Sequence, residues 1–153
     1  MRLGGAFKRI GHQNGDCYTL MRGPDGRIGA RVNGKGAIVS TTILKDKEWY
    51  HVAFTFEGGV DGLKSKLYIN GVKEASAGHP DEAVLDDNQS PLWIGRPDAV
   101  ENFAWNGILD DVAIWNRALS EKEIQSVMNK GPQLLLAVDL INKLAVTWAE
   151  LKM

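Results

Sequence analysis

Carboxylates and aromatic rings are the side chains here whose spacing could do chemistry. Hydrolysis of a sugar linkage with retention needs two carboxyl groups about 5–5.5 Å apart. The closest carboxylates on a strand-like run are Asp110 and Asp111. Adjacent strand residues point to opposite faces, so this pair would not serve one substrate. No Gly-x-Ser-x-Gly elbow, phosphate-binding Gly-rich loop or His-Glu-x-x-His motif occurs. His12, His51 and His79 lie far apart, and Cys17 is the only cysteine. An intramolecular disulfide and a thiolate zinc cluster are therefore excluded. The expectation is a chain that is not an enzyme. Binding is the better prospect: Trp105, with Asn102 and Arg96 nearby, could stack on a sugar ring while the polar groups hold its hydroxyls. Trp93 and Trp115 fall in strand-like runs and read as core. His51 reads as a hydrogen-bonded sheet residue rather than a ligand.

The bounds on the chain agree with a binding role. Its 153 residues make one domain at most, and 44% apolar content is enough for a core. A formal net charge of -1 with scattered Lys and Arg argues against nucleic acid, which needs a basic patch. No run is long and apolar enough to span a membrane. The first residues, Met1-Arg-Leu-Gly-Gly-Ala-Phe-Lys8, lack an apolar signal-peptide core. Taken literally, that places the chain in the cytoplasm.

Strands and turns must position these groups. Trp49-Tyr-His-Val-Ala-Phe-Thr-Phe56 is β-branched and aromatic, as strands are. Alternation puts Val52, Phe54 and Phe56 on one face and Trp49, His51, Ala53 and Thr55 on the other. In the next run Leu67 and Ile69 point one way and Tyr68 the other. Asn70-Gly71 predicts a type I′ turn, since both residues tolerate positive φ. Further strands are expected over residues 17–22, 27–32, 37–42, 92–95 and 107–115. Residues 1–16 carry little pattern. Gly23-Pro-Asp-Gly26 and Asn33-Gly-Lys-Gly36 read as turns, and residues 75–89 as a long loop. In the 107–115 run, Ile108, Asp110, Val112 and Ile114 share one face. The period then changes. Ser120 and Glu123 form a capping box, Leu119 and Ile124 a hydrophobic staple, and Gly131-Pro132 ends the helix. The tail after it, residues 132–153, is apolar. Leu134, Val138, Ile141, Ala145, Trp148 and Leu151 fit a helical stripe, while residues 144–148 also read as a strand.

Three motifs occur in order: Glu48-Trp-Tyr-His-Val-Ala53 with Lys66-Leu-Tyr-Ile-Asn-Gly71, then Ser90-Pro-Leu-Trp-Ile-Gly95, then residues 107–124. Together they closely resemble laminin-G-like domains of the concanavalin A-like lectin/glucanase superfamily, over about residues 16–130. The resemblance implies an all-β antiparallel sandwich of jelly-roll type with one short C-terminal helix. It implies domain bounds of 1–131, with 132–153 as a separate tail. Fewer residues than usual precede Tyr18, so the expectation is a sandwich lacking N-terminal strands, which a partner segment would supply. Glucanases of this fold carry Glu-x-Asp-x-x-Glu on one strand, and no such pattern occurs here. Related sandwiches often hold calcium in rim loops, and calcium takes six to eight oxygens. Asp86 and Asp87, beside Asp81, Glu82 and Asn88, and Asp110 elsewhere are the candidate ligands; turn capping is the commoner role of such residues. Trp105 matches a position where relatives pack an aromatic on the sheet edge. The function implied is a non-catalytic module binding carbohydrate or an extracellular protein, in an exported or cell-surface protein. The alternatives are a structural or oligomerisation module and a glycoside hydrolase-related fragment.

Overall fold

The structure is a computed structural model, and it describes residues 5–9, 16–32, 35–58, 63–79, 92–95, 105 and 107–132. Within these, eight strands form two antiparallel sheets. They are β1 Gly5–Arg9, β2 Asp16–Arg22, β3 Arg27–Val32, β4 Lys35–Ile43, β5 Val52–Glu57, β6 Leu63–Ile69, β7 Val72–His79 and β8 Leu92–Ile94. The larger sheet runs β4-β3-β2-β1-β8 and the smaller β5-β6-β7. The protein is thus an antiparallel β-sandwich with one helix, α1 Glu121–Lys130.

Turn chemistry closes the hairpins. Between β2 and β3 the Gly26 amide donates to the Gly23 carbonyl at 3.0 Å, and Asp25 Oδ1 accepts from the Arg27 amide at 3.1 Å. Between β6 and β7, Asn70 has φ 51° and Gly71 φ 76°. Two successive positive φ values make the type I′ turn that the Asn-Gly pair predicts. Asn70 also reaches sideways. Its Oδ1 accepts from the His51 amide at 2.9 Å, and its own amide donates to the His51 carbonyl at 2.8 Å. One residue therefore turns one hairpin and extends the β5–β6 ladder.

Alternation sorts the side chains into two apolar clusters. Ile28, Ala30, Ile38 and Leu44 meet Leu67 and Ile69 between the sheets, with Leu20, Tyr50, Val52, Phe54, Ala75 and Ala77 around them. Tyr18 stacks on Phe56 in the gap between the sheets, ring centroids 6.0 Å apart. Tyr68, on the opposite face of β6, packs with Leu119, Ile124 and Val127, flanked by Ala53 and Trp115. The helix thus covers the outer face of the smaller sheet. Its start carries the capping box: Ser120 Oγ accepts from the Glu123 amide at 3.4 Å, and Glu123 Oε2 accepts from the Ser120 amide at 2.8 Å. The Gly131 amide donates to the Val127 carbonyl at its end. A polar clamp joins the sheets where β4 meets β7. The Glu74 carboxylate accepts from the Thr42 amide at 2.9 Å, from the Thr41 hydroxyl at 3.1 Å, and from the Thr42 hydroxyl.

Four expectations change. β1 arises from residues without a clear pattern, because pairing with β2 on one side and β8 on the other supplies what periodicity does not. β4 begins at Lys35, inside the expected turn. β7 continues to His79 rather than giving way to a loop at Ala75. Ala75 and Ala77 are weak strand formers, but β6 lies opposite them, and a ladder partner overrides propensity. Residues 107–115 alternate like a strand and form none. Asp111 sits at φ 49°, outside the β region, and no backbone hydrogen bond ties this run to another described residue. A strand exists only where a neighbour accepts and donates along it.

Candidate functional site

Of the predicted ligand residues, Trp105 lies among the described residues. Trp105 is half-buried. Its amide donates to the Gly95 carbonyl at 2.6 Å, just past β8. Its indole lies against Gly107, where a Cβ would fall 2.8 Å from Nε1. That ring is packed, and a packed ring offers less face to a sugar than a free one. The indole Nε1 is buried with no hydrogen-bond partner among the described residues. Asn102 and Arg96 lie outside the described residues.

Of the proposed metal ligands, Asp110 lies among the described residues. Asp110 is exposed, and its Oδ1 accepts from the adjacent Asp111 amide at 2.9 Å. That is turn capping, the commoner role of such residues. Asp86 and Asp87 lie outside the described residues, as does the 133–153 tail. Among the described residues, no group of three His, Cys, Asp or Glu could hold a metal. The described residues therefore do not fit a calcium site on their own.

His51 departs from its expected role in part. Its backbone is paired with Asn70, but Nδ1 is buried with no partner among the described residues. Burial lowers its pKa below the ordinary 6.5, so the ring is neutral at neutral pH.

A different tryptophan is presented to solvent. Trp49 precedes β5 and is 67% exposed. Alternation places it on a sheet face, yet β5 begins only at Val52. The turn holding it is braced. Lys47 has φ 65°, the Lys45 amide donates to the Tyr50 hydroxyl at 3.3 Å, and that hydroxyl donates to Glu48 Oε2 at 2.7 Å. Lys45 Nζ stands 3.6 Å from Glu48 Oε1. The Tyr50 hydrogen bond, helped by Lys45, holds the Glu48 carboxyl below its ordinary range. So an exposed indole follows Lys45, Asp46, Lys47 and Glu48 in a turn held by side-chain contacts. Alternation alone does not mark Trp49 as exposed, since large aromatic side chains are highly buried on average. The signal for it was the polar Lys-Asp-Lys-Glu turn immediately before it.

A second exposed feature is apolar. Ile108 is 73% exposed, Val112 50% and Ile114 56%. Leu109 lies close to Gly95 at the end of β8.

Two facing antiparallel sheets make a jelly-roll sandwich. The chain belongs to the laminin G family of the concanavalin A-like lectin/glucanases superfamily, whose pattern matches residues 3–125. A native heptameric SAP-like pentraxin from Limulus polyphemus shares the fold, with 22% identity and TM-score 0.65 over 83% of this chain. A crystal structure of residues 221-444 of an S-layer domain-containing protein from Clostridium thermocellum is 27% identical over 82% of this chain, with TM-score 0.47. The chain spans 63% of each of those two chains. No curated protein matches it. Among the described residues, no helix is long and apolar enough to cross a membrane.

Proposed function

We propose that the protein is a non-catalytic recognition module whose ligand is a carbohydrate, acting outside the cell or at its surface. The observation that carries this is Trp49. A flat ring two-thirds exposed on a braced turn offers a stacking face at little entropic cost, since the ring has few rotamers to lose. Asp46 and Lys47, close to it in the chain and exposed, are of the kind that fix sugar hydroxyls. Support also comes from the family, whose superfamily includes lectins. An extracellular protein ligand is the neighbouring reading, and it would use the same rim.

Glycan-array screening of the full chain, followed by calorimetry on any hit, tests this. Trp49→Ala should weaken binding by about tenfold or more, as loss of an aromatic anchor does, while Trp105→Phe should leave it nearly unchanged. Binding that survives Trp49→Ala, or an array with no hit, would sink the proposal.

A further inference from the structure

The turn that carries Trp49 is held from outside itself. It leaves β4 at Leu44 and returns to the core at Tyr50, and both of these residues pack in the cluster between the sheets. Its first residues are gripped from the β2–β3 hairpin. The Leu44 amide donates to the Gly26 carbonyl at 2.8 Å, and the Leu44 carbonyl accepts from Arg22 Nη2 at 2.8 Å. The same nitrogen stands 3.3 Å from Asp46 Oδ1, two residues further along the turn. Gly26 makes the close approach possible. It has φ 85°, and a Cβ there would fall 2.9 Å from Ile43 Cγ2 and 3.2 Å from both Arg22 Nη2 and the Leu44 carbonyl oxygen.

We infer that Arg22 is a positioning residue for the ligand-binding turn: its guanidinium sets the course of residues 44–48, and with it the direction in which Trp49 is presented. The inference rests on the reading that Trp49 meets the ligand. Two observations select Arg22. The first is location. Arg22 pairs with Ile28 in the β2–β3 ladder, and Ile28 is buried between the sheets. Residues opposite each other in an antiparallel ladder share a face, so Arg22 points inward, and its side chain is only 12% exposed. A guanidinium withdrawn from water is costly unless its donors find acceptors, and here they find the Leu44 carbonyl and the Asp46 carboxylate. The second is chemistry. The guanidinium is planar and always charged, with its N–H groups in fixed directions. Two acceptors bound to one Nη2 are therefore held at a set angle, and they bracket Lys45, where the turn begins. A ring carried on a turn already fixed in this way has less ordering left to lose when it stacks on a ligand.

Hydrogen exchange and 15N relaxation on the full chain test this without any ligand. Arg22→Met keeps the length of the side chain and removes its donors. The Leu44 and Lys45 amides should then exchange about tenfold faster or more while amides of β6 stay protected, since local opening is separable from global unfolding. The heteronuclear NOE of the Trp49 indole N–H should fall, and Arg22→Lys, which restores a charged donor, should recover part of it. If Arg22→Met folds poorly, Asp46→Ala decides, because it removes an exposed acceptor and leaves the inward-facing arginine in place; the same two amides should exchange about threefold faster, again ahead of β6. Turn and β6 amides speeding together in the deciding variant would overturn the inference, since that is a loss of global stability alone. So would turn amides and an indole NOE that do not move. The two failures are distinguishable: a glycan array with no hit removes the ligand and leaves these rates as they are, whereas an unmoved turn removes the role of Arg22 and leaves the array result standing.

Discussion

Glu74 shows how one side chain can hold two sheets together. Partial burial raises its pKa, but the hydrogen bonds from Thr42 and Thr41 outweigh that and leave it below the ordinary 4.5. A carboxyl depressed on folding stabilises the fold above its unfolded pKa, and that contribution is lost as pH falls through the folded value. Glu74→Gln should therefore cost about 1 kcal/mol at neutral pH, a modest figure because the group is partly solvated. It should also flatten the dependence of stability on pH below about 4.5. Denaturant titrations of wild type and variant across pH 3 to 7 check both. Trp49 and Trp105 teach a complementary point. Both are tryptophans beside polar residues, yet Trp105 lies against Gly107 while Trp49 is exposed.

At the scale of elements, α1 is written locally and β1 is not. Ser120, Glu123, Leu119, Ile124 and Gly131 all act within one short stretch, so the helix and both its ends follow from neighbours in the chain. Arg117 strengthens the cap. Its Nη1 and Nη2 donate to Glu123 at 3.1 and 2.5 Å, and Arg117, with Ser120, draws the Glu123 carboxyl down to about 2. Ser120→Ala should destabilise the protein by about 1 kcal/mol, seen as a lower denaturant midpoint. Arg117→Ala should return the Glu123 titration toward its ordinary range, which NMR titration of that carboxyl would read. The contribution of this cap is present above pH 4.5 and fades as pH falls toward 2. The run 107–115 makes the opposite case. It is rich in apolar residues like β3, where Ile28, Ala30 and Val32 are all buried. β3 has β2 and β4 beside it, and the run has no ladder partner among the described residues.

Across the whole molecule, stability rests on the layer between the sheets. Leu67 is fully buried there, among Ile28, Ala30, Ile38 and Ile69. Leu67→Ala should cost about 2–5 kcal/mol, with the transition shifted to lower temperature as a single step, because both sheets pack on that side chain. Calorimetry would show it, and a variant melting in two separate steps would mean that the sheets are held by something else. The local order of apolar and polar residues determined most of this architecture: the inward faces of β3, β5 and β6, the Asn70-Gly71 hairpin and the capped helix. Those features depend on residues one to four positions apart, and such spacing is legible in a sequence. Tertiary structure decided the rest. It made a strand of residues 5–9, withheld one from 107–115, stretched β7 through Ala75 and Ala77, and left Trp49 in solvent. Each of those outcomes depends on what lies across a sheet or over a side chain, and that neighbour comes from a distant part of the chain.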